Sequence, residues 1–423
     1  MDKDPGRTRL LPFARNNPVA PPSLALLAAI TALAFCALHM VVPALPLLVG
    51  IFDDSPARVQ LVLTLFLAGI AAGQLVYGPL SDRFGRRPVL IAGLSMFLVG
   101  TLLCGSAPTL GFLIAGRVLE GFGACAGVVL ARAIIRDVYE REAAARGLAL
   151  VMMAMTLPPA ISPAVGAYLA EWVDWRAIFV LLGGLGAIVF IATLARLGET
   201  NRNRTRLDLA GMAGAYASLL RSPRFVGFAL CSACASASWF TFIASAPHLL
   251  VDTMGQPPST YGLMILLPMG TYMLGNAGAA RFAPRYGSLR VLICGRLWSF
   301  AAAAGLVLWG LVGEPSVWAL FLPIAFAEIG DGLSQPSVMA AALSIHPRIA
   351  GTASGLMGFL QMTMAASGSF LVALLPQGST LGPIAVFAGF VVMALAFGLF
   401  AVRRPSEREL AAVAAAPAAA EGG

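Results

Sequence analysis

Apolar stretches of about 18 to 27 residues alternate with short polar segments from Ser23 to Arg403. About 20 apolar residues cross the hydrocarbon core of a bilayer as a helix. The pattern therefore predicts twelve transmembrane helices. We expect these spans at 23–50, 57–79, 88–106, 109–132, 145–170, 175–197, 224–250, 259–281, 287–312, 315–340, 349–375 and 381–402.

Composition supports an all-α integral membrane protein. Hydrophobic residues make up 59% of the 423 positions and charged residues only 11%, whereas soluble domains carry about a quarter charged residues. This argues against a soluble enzyme. The first apolar run, 23–50, is much longer than the roughly 7 to 15 apolar residues of a signal peptide, so we expect it to remain as an uncleaved span.

The basic residues set the predicted orientation. The formal net charge is +8, but the arginines lie in short loops, and we expect no nucleic-acid partner. With a cytoplasmic N-terminus, every basic residue is cytoplasmic except Arg58 and Arg176 outside and Arg117 and Arg296 within spans. The positive-inside rule thus predicts that both termini are cytoplasmic. Arg296 lies close enough to the cytoplasmic end of its span to snorkel.

A polar stretch divides the spans six and six, and a weak repeat relates the halves. The run Arg83–Leu90 after span 2 reappears as Arg285–Leu292 after span 8. Parallel repeats of this kind are typical of transporters, and they predict two pseudo-symmetric six-helix bundles. The expected organisation is an N-terminal tail at 1–22, a first bundle at 23–197, a cytoplasmic linker at 198–223, a second bundle at 224–403 and a disordered tail at 404–423.

Five ionisable residues fall at membrane depth, where a charge costs roughly 2.5 to 3.5 kcal/mol and normally faces a cavity or a partner. They are His39 in span 1, Arg117 and Glu120 in span 4, and Glu328 and Asp331 in span 10. Arg117 and Glu120 are three residues apart and share a helix face, and so do Glu328 and Asp331. Gln335 lies on the same face as Glu328 and Asp331, one helical turn further along. The six cysteines lie within apolar segments and are interpreted as packing residues, so no metal site is expected.

The run Gly78–Pro88, with the sequence GPLSDRFGRRP, resembles the loop 2–3 signature of the major facilitator superfamily. Shorter matches extend over nearly the whole chain, at 42–46, 117–121, 136–139, 159–166, 175–179, 245–247 and 350–355. Together they are similar to the bicyclomycin-resistance (Bcr/CflA-like) branch of drug:proton antiporters.

This resemblance implies the major facilitator fold and a secondary active transporter of the bacterial inner membrane. Such a protein exports lipophilic drugs from the cytoplasm in exchange for protons, by alternating access, as a monomer among membrane lipids and with no cofactor beyond the proton gradient. The alternative within the fold is a carrier of one small metabolite. A membrane-embedded enzyme is the alternative from another class, but no nucleophile with a base, metal spacing or phosphate-binding loop supports it.

On this interpretation, either Glu328 or Asp331 accepts the proton, because two neighbouring acids disfavour simultaneous ionisation. Glu120 with Arg117 couples protonation or drug binding to the movement of the halves. The alternative is a structural network that transports no proton. Members of the branch commonly carry an acid where this chain has His39. Histidine changes charge near neutral pH, so His39 has replaced that acid, or coupling has moved to span 4 or 10, or His39 is a hydrogen-bonded core residue.

The loop signature is expected to form a conformational latch from Gly78, Asp82, Arg83, Gly85, Arg86, Arg87 and Asp137. The glycines permit tight turns. Resemblance implies that Asp82 faces the start of span 11 near Gly351 and that Arg86 pairs with Asp137. Pro284 replaces Asp82 in the second half, so the latch is expected on one side only. The alternative is that the arginines only determine topology.

Two further groups are candidates. Resemblance implies an antiporter-type motif in span 5 at Pro159, Pro163 and Gly166, although Ser162 and Ala167 replace favoured glycines. Aromatic, amide and thioether side chains suit a broadly specific drug cavity, since methionine repacks around varied shapes. The cavity candidates are Trp239, Phe242, Tyr272, Asn276, Met155, Gln335 and Gln361. The alternative for these residues is packing between helices or against lipid.

Overall fold

The computed structural model describes residues 22–139, 141–201, 209–313, 316–346, 349–376 and 379–404, without the side chains of 141–156 and 209–210. Within these ranges the chain is helices and short connections, and no strand occurs. The prediction of an all-α fold is confirmed. The two predicted tails lie outside the described residues except at Pro22 and Arg404.

In the described part of the chain twelve helical spans follow one another, and eleven of them are long and apolar enough to cross a membrane. The fifth, Arg141–Trp172, lies at the predicted fifth span. In order they are Leu24–Met40 continued by Leu45–Phe52, Pro56–Phe84, Arg86–Gly105, Leu110–Val138, Arg141–Trp172, Arg176–Arg196, Pro223–His248, Pro258–Met264 continued by Leu266–Tyr286, Ser288–Val312, Val317–Ile345, Ala350–Ala373 and Leu381–Arg403. A further helix, Leu209–Arg221, lies in the linker.

Span 1 changes geometry near its end, where a 3-10 turn at Val42–Ala44 separates its two helices. Pro43 and Pro46 account for this break, because proline has no N–H to donate to the preceding turn. Gly166 of span 5 packs against the break, and a Cβ there would overlap the Met40 carbonyl oxygen. The motif glycine of span 5 therefore permits close contact with span 1.

The two halves repeat the same close helix contacts. In the first half, a Cβ on Gly100 of span 3 would lie 2.5 Å from the Glu120 nitrogen of span 4. In the second half, a Cβ on Gly330 of span 10 would overlap the Gly295 carbonyl and the Ser299 hydroxyl of span 9. Because only glycine fits at these crossings, backbones approach closely and bring polar side chains of neighbouring spans together.

Replacing Gly330 by alanine is expected to lower the free energy of unfolding by about 1 to 3 kcal/mol, since the added methyl group must displace backbone. Thermal unfolding of the purified protein in detergent would measure the effect. Gly305→Ala is the matched control, because a Cβ on Gly305 meets nothing within 4 Å. Equal melting temperatures for the two variants would contradict this account of the crossing.

The halves contact each other on both membrane sides, since Arg136 of span 4 lies near Gly351 of span 11, and Gln74 of span 2 lies against Gly358 of the same span. The two sides are the side opposite to that on which span 6 ends and span 7 begins, and the side on which they do. We call these the far side and the linker side.

Near the far side, the Gln60 amide Nε2 donates to the Ser369 hydroxyl at 2.9 Å, and Thr64 Oγ1 lies 2.9 Å from the same oxygen. Span 5 also contacts span 8 here, at Ala164 and Gly262. These contacts join the halves, and we call Gln60, Thr64 and Ser369 the far-side seal.

Candidate functional site

The first buried charge pair lies wholly within the first half. Arg117 Nη1 is 2.6 Å from the Glu120 carboxylate, and both side chains are fully buried. The same Nη1 donates to the Ala37 carbonyl at 3.1 Å, and Nε donates to the Val62 carbonyl at 3.3 Å. The guanidinium also stacks on Phe66, 3.8 Å from the ring centre. Spans 1, 2 and 4 thus meet around one arginine.

The second oxygen of Glu120 is bound as well. Thr101 Oγ1 of span 3 donates to Glu120 Oε1 at 2.8 Å. The carboxylate therefore has a partner on each oxygen, which is what a buried charge requires to be tolerated. This pair faces other helices of its own half rather than an open cavity.

The second cluster joins spans 9 and 10. Arg296 Nη1 is 2.7 Å from Asp331 Oδ1, and Ser299 Oγ donates to the same oxygen at 3.0 Å. The Arg296 side chain is only 2% exposed, so the prediction that it snorkels to the membrane surface was wrong. Its charge stays inside because Asp331, on the neighbouring span, provides a paired carboxylate.

Glu328 lies one helical turn before Asp331 and is 4% exposed. Within the described part of the chain, its carboxyl group has no hydrogen bond or ion pair. Arg296 Nε and Nη2 are also buried without a hydrogen-bond partner there. The second cluster therefore contains one paired acid, one unpaired acid and a cation with donors left over. The first cluster has no such unpaired acid.

His39 lies near the contact between the halves. Its Nδ1 donates to the Phe35 carbonyl of its own helix at 2.9 Å, and its ring centre is 6.3 Å from that of Phe240 in span 7. Nε2 is buried and has no partner among the described residues. Histidine here is thus both a hydrogen-bonded core residue and a group with one free nitrogen.

The cavity candidates with described side chains form three groups: two aromatic residues, the pair Tyr272 and Asn276, and two glutamines. Trp239 and Phe242 form an aromatic row with Phe321, with ring centres 5.6 and 5.3 Å apart, and Trp239 is partly exposed. Aromatic faces of this kind can bind flat apolar molecules. Tyr272 and Asn276 are also partly exposed, and Asn276 Nδ2 donates to the Tyr272 carbonyl at 3.2 Å.

The two glutamine candidates are engaged with a neighbouring helix. Gln335 Nε2 and Gln361 Nε2 donate to the Ser232 hydroxyl of span 7 at 2.9 and 2.6 Å. These hydrogen bonds connect spans 7, 10 and 11. They occupy the amide nitrogens of both glutamines, which are then less available to bind a ligand. The Met155 side chain lies outside the described residues.

The loop signature forms a compact charge cluster at the linker side. The Arg86 guanidinium lies 2.8 Å from Asp137 and 2.6 Å from Asp82. Asp82 is therefore bound to Arg86 in this conformation, and the guanidinium nearest to Gly351 of span 11 is that of Arg136, 3.6 Å from where a Cβ would lie. Arg83 lies over the Phe84 ring, and Gly78 has open space around it.

Glu199, just after span 6, binds the same loop and is a residue that sequence reasoning missed. Its Oε1 accepts from the Arg86 N–H at 2.8 Å and its Oε2 from the Arg87 N–H at 3.3 Å. A carboxylate at the start of a helix stabilises its free N–H groups and its dipole. The Arg87 Nε in turn donates to the Leu197 carbonyl at 2.8 Å.

Gly85 makes this contact possible in two ways. Its φ of +103° lies where residues with a Cβ are strained, and a Cβ would overlap the Glu199 carboxylate. Gly287 repeats the turn in the second half with a φ of +89°, but a Cβ there meets nothing within 4 Å. The turn is therefore repeated, and the acidic clamp on it is found in the first half.

Replacing Glu199 by alanine is expected to cost about 1 kcal/mol of stability, as the loss of a helix cap does. It should also speed hydrogen exchange at the Arg86 and Arg87 amides several-fold, since both lose their acceptor. Hydrogen-exchange mass spectrometry would measure this, with the Gly287 turn as internal control. Unchanged exchange at residues 86 and 87 would show that the clamp does not hold in solution.

Twelve helices in two repeated halves, with paired charges at membrane depth, are the architecture of a membrane transporter. The sequence model of the Major Facilitator Superfamily matches residues 27–369 and, in a second match, 228–421. The chain belongs to this superfamily, and the predicted family is confirmed.

The chain is similar to two relatives in sequence and to one solved structure in fold. Multidrug resistance protein D of Escherichia coli is 30% identical over 361 residues, which cover 83% of this chain and 89% of the relative. The bicyclomycin resistance protein homolog of Haemophilus influenzae is 26% identical over 323 residues, covering 76% and 81%. A crystal structure of a D-xylose-proton symporter has a TM-score of 0.73 at 16% identity and covers 90% of this chain and 98% of the other; it supports the fold alone.

Proposed function

We propose that this protein exports lipophilic drugs in exchange for protons by alternating access. The names of the two relatives, which refer to multidrug and bicyclomycin resistance, support the drug substrate. The observation that carries the proton coupling is the buried Glu328 carboxyl, which has no hydrogen bond or ion pair among the described residues, beside the Arg296–Asp331 pair. No cofactor is required, because the proton gradient supplies the energy.

Glu328 is the proposed proton carrier because its proton can leave without breaking a salt bridge. Asp331 must first give up Arg296 and Ser299, whereas Glu328 has no such partner among the described residues. When Glu328 releases its proton, the carboxylate needs a cation, and Arg296 has two unused donors. Tyr272 and Cys231 are the other titratable groups near this arginine. A shift of the guanidinium from Asp331 toward Glu328 would change the contact between spans 9 and 10.

The proposed movement opens the far side. The Gln60 and Thr64 contacts to Ser369 join the two halves and must break before the cavity faces outward. One proton charge moving through about 100 mV supplies roughly 2.3 kcal/mol, enough for about a fifty-fold gradient of a neutral drug. This is slightly more than the roughly 2 kcal/mol needed to separate the two hydrogen bonds of the far-side seal, at about 1 kcal/mol each.

In this proposal the protein works in the bacterial inner membrane as a monomer surrounded by lipid. The linker side is cytoplasmic, and so are both termini, in agreement with the excess of arginine in the linker-side loops. Trp239 and Phe242 are proposed to contact the apolar body of the drug. Arg86, Asp82 and Asp137 are proposed to close the linker side when the far side is open.

Reconstituted liposomes test this function. Purified protein is placed in vesicles that contain a pH-sensitive dye, a pH gradient is imposed, and a panel of lipophilic drugs is added. We expect each transported drug to evoke proton flux, with several unrelated drugs competing. Drug movement without proton movement would contradict antiport, and competition by one metabolite alone would favour the single-substrate carrier.

A further inference from the structure

A cavity of about 580 Å³ opens between the two halves on the far side. We call it the far-side vestibule. The first half contributes the end of span 1 and the start of span 2, and the second half contributes the ends of spans 7 and 11 and the start of span 12. Its volume lies within the roughly 300 to 1,000 Å³ of small-molecule sites. It is separate from the Arg296 cluster, which is buried between spans 9 and 10.

The walls of the vestibule are mainly apolar. Pro46 and Val49 line the first half, and Leu249, Val372 and Leu375 line the second. Gln60 of the far-side seal also lines the cavity, so its inner end lies at the contact between the halves. An apolar molecule in this position would touch both halves at once.

The polar groups of the vestibule include several hydrogen-bond acceptors. The Ser245 hydroxyl donates to the Thr241 carbonyl at 2.9 Å, and His248 Nδ1 pairs with the Asp252 carboxylate at 3.1 Å. Gln60 Nε2 is used by Ser369, and its Oε1 is buried without a partner among the described residues, in a side chain that is 1% exposed. With these donors engaged, the oxygens of Asp252 and Ser245 remain for a ligand that brings its own donors.

The backbone of span 7 holds the carboxylate at the mouth of the cavity. After Pro247 the helix widens into a π-turn at Leu249–Thr253, a geometry that is frequent at functional sites. The Asp252 side chain is 58% exposed, so one of its oxygens can bind a ligand while the other accepts from His248.

Charge on the far side favours a cation. The described far-side residues include five acids and two arginines: Asp53, Asp54, Glu171, Asp174 and Asp252 against Arg58 and Arg176. Asp54 and Asp174 pair with these arginines, so the described far side carries an excess of negative charge, and Asp252 is the acid of this set that lines the vestibule. Such a field concentrates cations at a cleft.

We propose that the far-side vestibule is a second binding site, which takes lipophilic amines. The protonated amine donates to Asp252 and to the Ser245 hydroxyl oxygen deeper in the cavity, and the apolar body lies against Pro46, Val49 and Leu249. Only the ligand class rests on the proposed drug export. The location, between the halves and outside the far-side seal, makes the site accessible while the seal is closed.

Protection of an introduced thiol tests this site. Ser379→Cys is made in a Cys294→Ser background, because Ser379 lines the vestibule and Cys294 is the exposed native cysteine. The purified full-length protein is labelled with a charged maleimide in increasing rhodamine 6G, a lipophilic cation with N–H donors. We expect saturable slowing of labelling, and Asp252→Asn should weaken the dye about tenfold, as the loss of one charge-assisted hydrogen bond does.

Asp174→Asn is the matched control, a far-side acid that does not line the vestibule, and it should leave the protection curve unchanged. Equal effects of the two variants, or labelling that the dye does not slow, would overturn the site. Efflux of the same dye from vesicles separates this inference from the proposed function. Protection without any efflux would leave the site standing and contradict drug export, whereas efflux without protection would remove the site alone.

Discussion

Replacing Glu328 by glutamine is expected to abolish proton-driven drug accumulation while leaving drug binding intact. Glutamine keeps the size and polarity of the side chain but cannot carry a proton, so the imposed gradient no longer drives the drug. With an imposed gradient of about 1.7 pH units, equivalent to about 100 mV, the accumulated ratio should fall from about fifty-fold toward unity. Vesicle uptake with a pH gradient, compared with drug exchange at equal pH on both sides, would measure the two properties separately.

His39→Gln is the comparison that makes this test specific. His39 is another buried ionisable group at membrane depth, and its Nε2 has no partner among the described residues. We expect this variant to retain proton-driven accumulation. If His39→Gln loses coupling while Glu328→Gln keeps it, the proton carrier is in span 1 and the assignment to span 10 is wrong.

Replacing Arg117 by leucine is expected to destabilise the protein by about 3 to 5 kcal/mol, because the fully buried Glu120 carboxylate would lose its charged partner. The variant should unfold at a markedly lower temperature in detergent and accumulate poorly in the membrane. Thermal unfolding followed by a thiol-reactive dye would report this, because buried Cys104 and Cys125 lie in the same half.

The double variant Arg117→Leu with Glu120→Leu is the control for this prediction. Removing both charges leaves no unpaired ion, and replacing a buried pair by apolar residues is often neutral. We therefore expect most of the lost stability to return. A double variant as unstable as Arg117→Leu would show that packing of the arginine on Phe66, rather than its charge pair, holds these spans together.

Hydropathy predicted the membrane crossings better than the helix ends. Span 2 was predicted to end at residue 79, but its helix continues through Ser81, Asp82 and Arg83 to Phe84. The apolar run marks the part inside the bilayer, and a helix can continue into water where its polar residues are satisfied. The break in span 1 could not be predicted from its prolines, because membrane helices also tolerate proline within them.

The ionisable residues of the candidate site could be found from the sequence, but their pairing could not. Glu120 and Arg117 share one helix face, so their contact follows from spacing. Arg296 and Asp331 lie on different spans, 35 positions apart, and no local pattern relates them. The same is true of Glu199, whose partners Arg86 and Arg87 precede it by more than a hundred positions. An acid immediately after the last apolar residues of span 6 was the only available signal.

The clamp by Glu199 also bears on how the chain is built during synthesis. Arg117 finds its partners among residues 37–120, and the amides of Arg86 and Arg87 are bound once Glu199 has emerged from the ribosome. The pairs Arg117–Glu120 and Arg86–Asp137, like the clamp by Glu199, can therefore form before the second six spans have been translated. Glu199 is the last residue needed for these contacts, so an N-terminal fragment that ends before it should insert into the membrane but remain open to proteases at the loop after span 2.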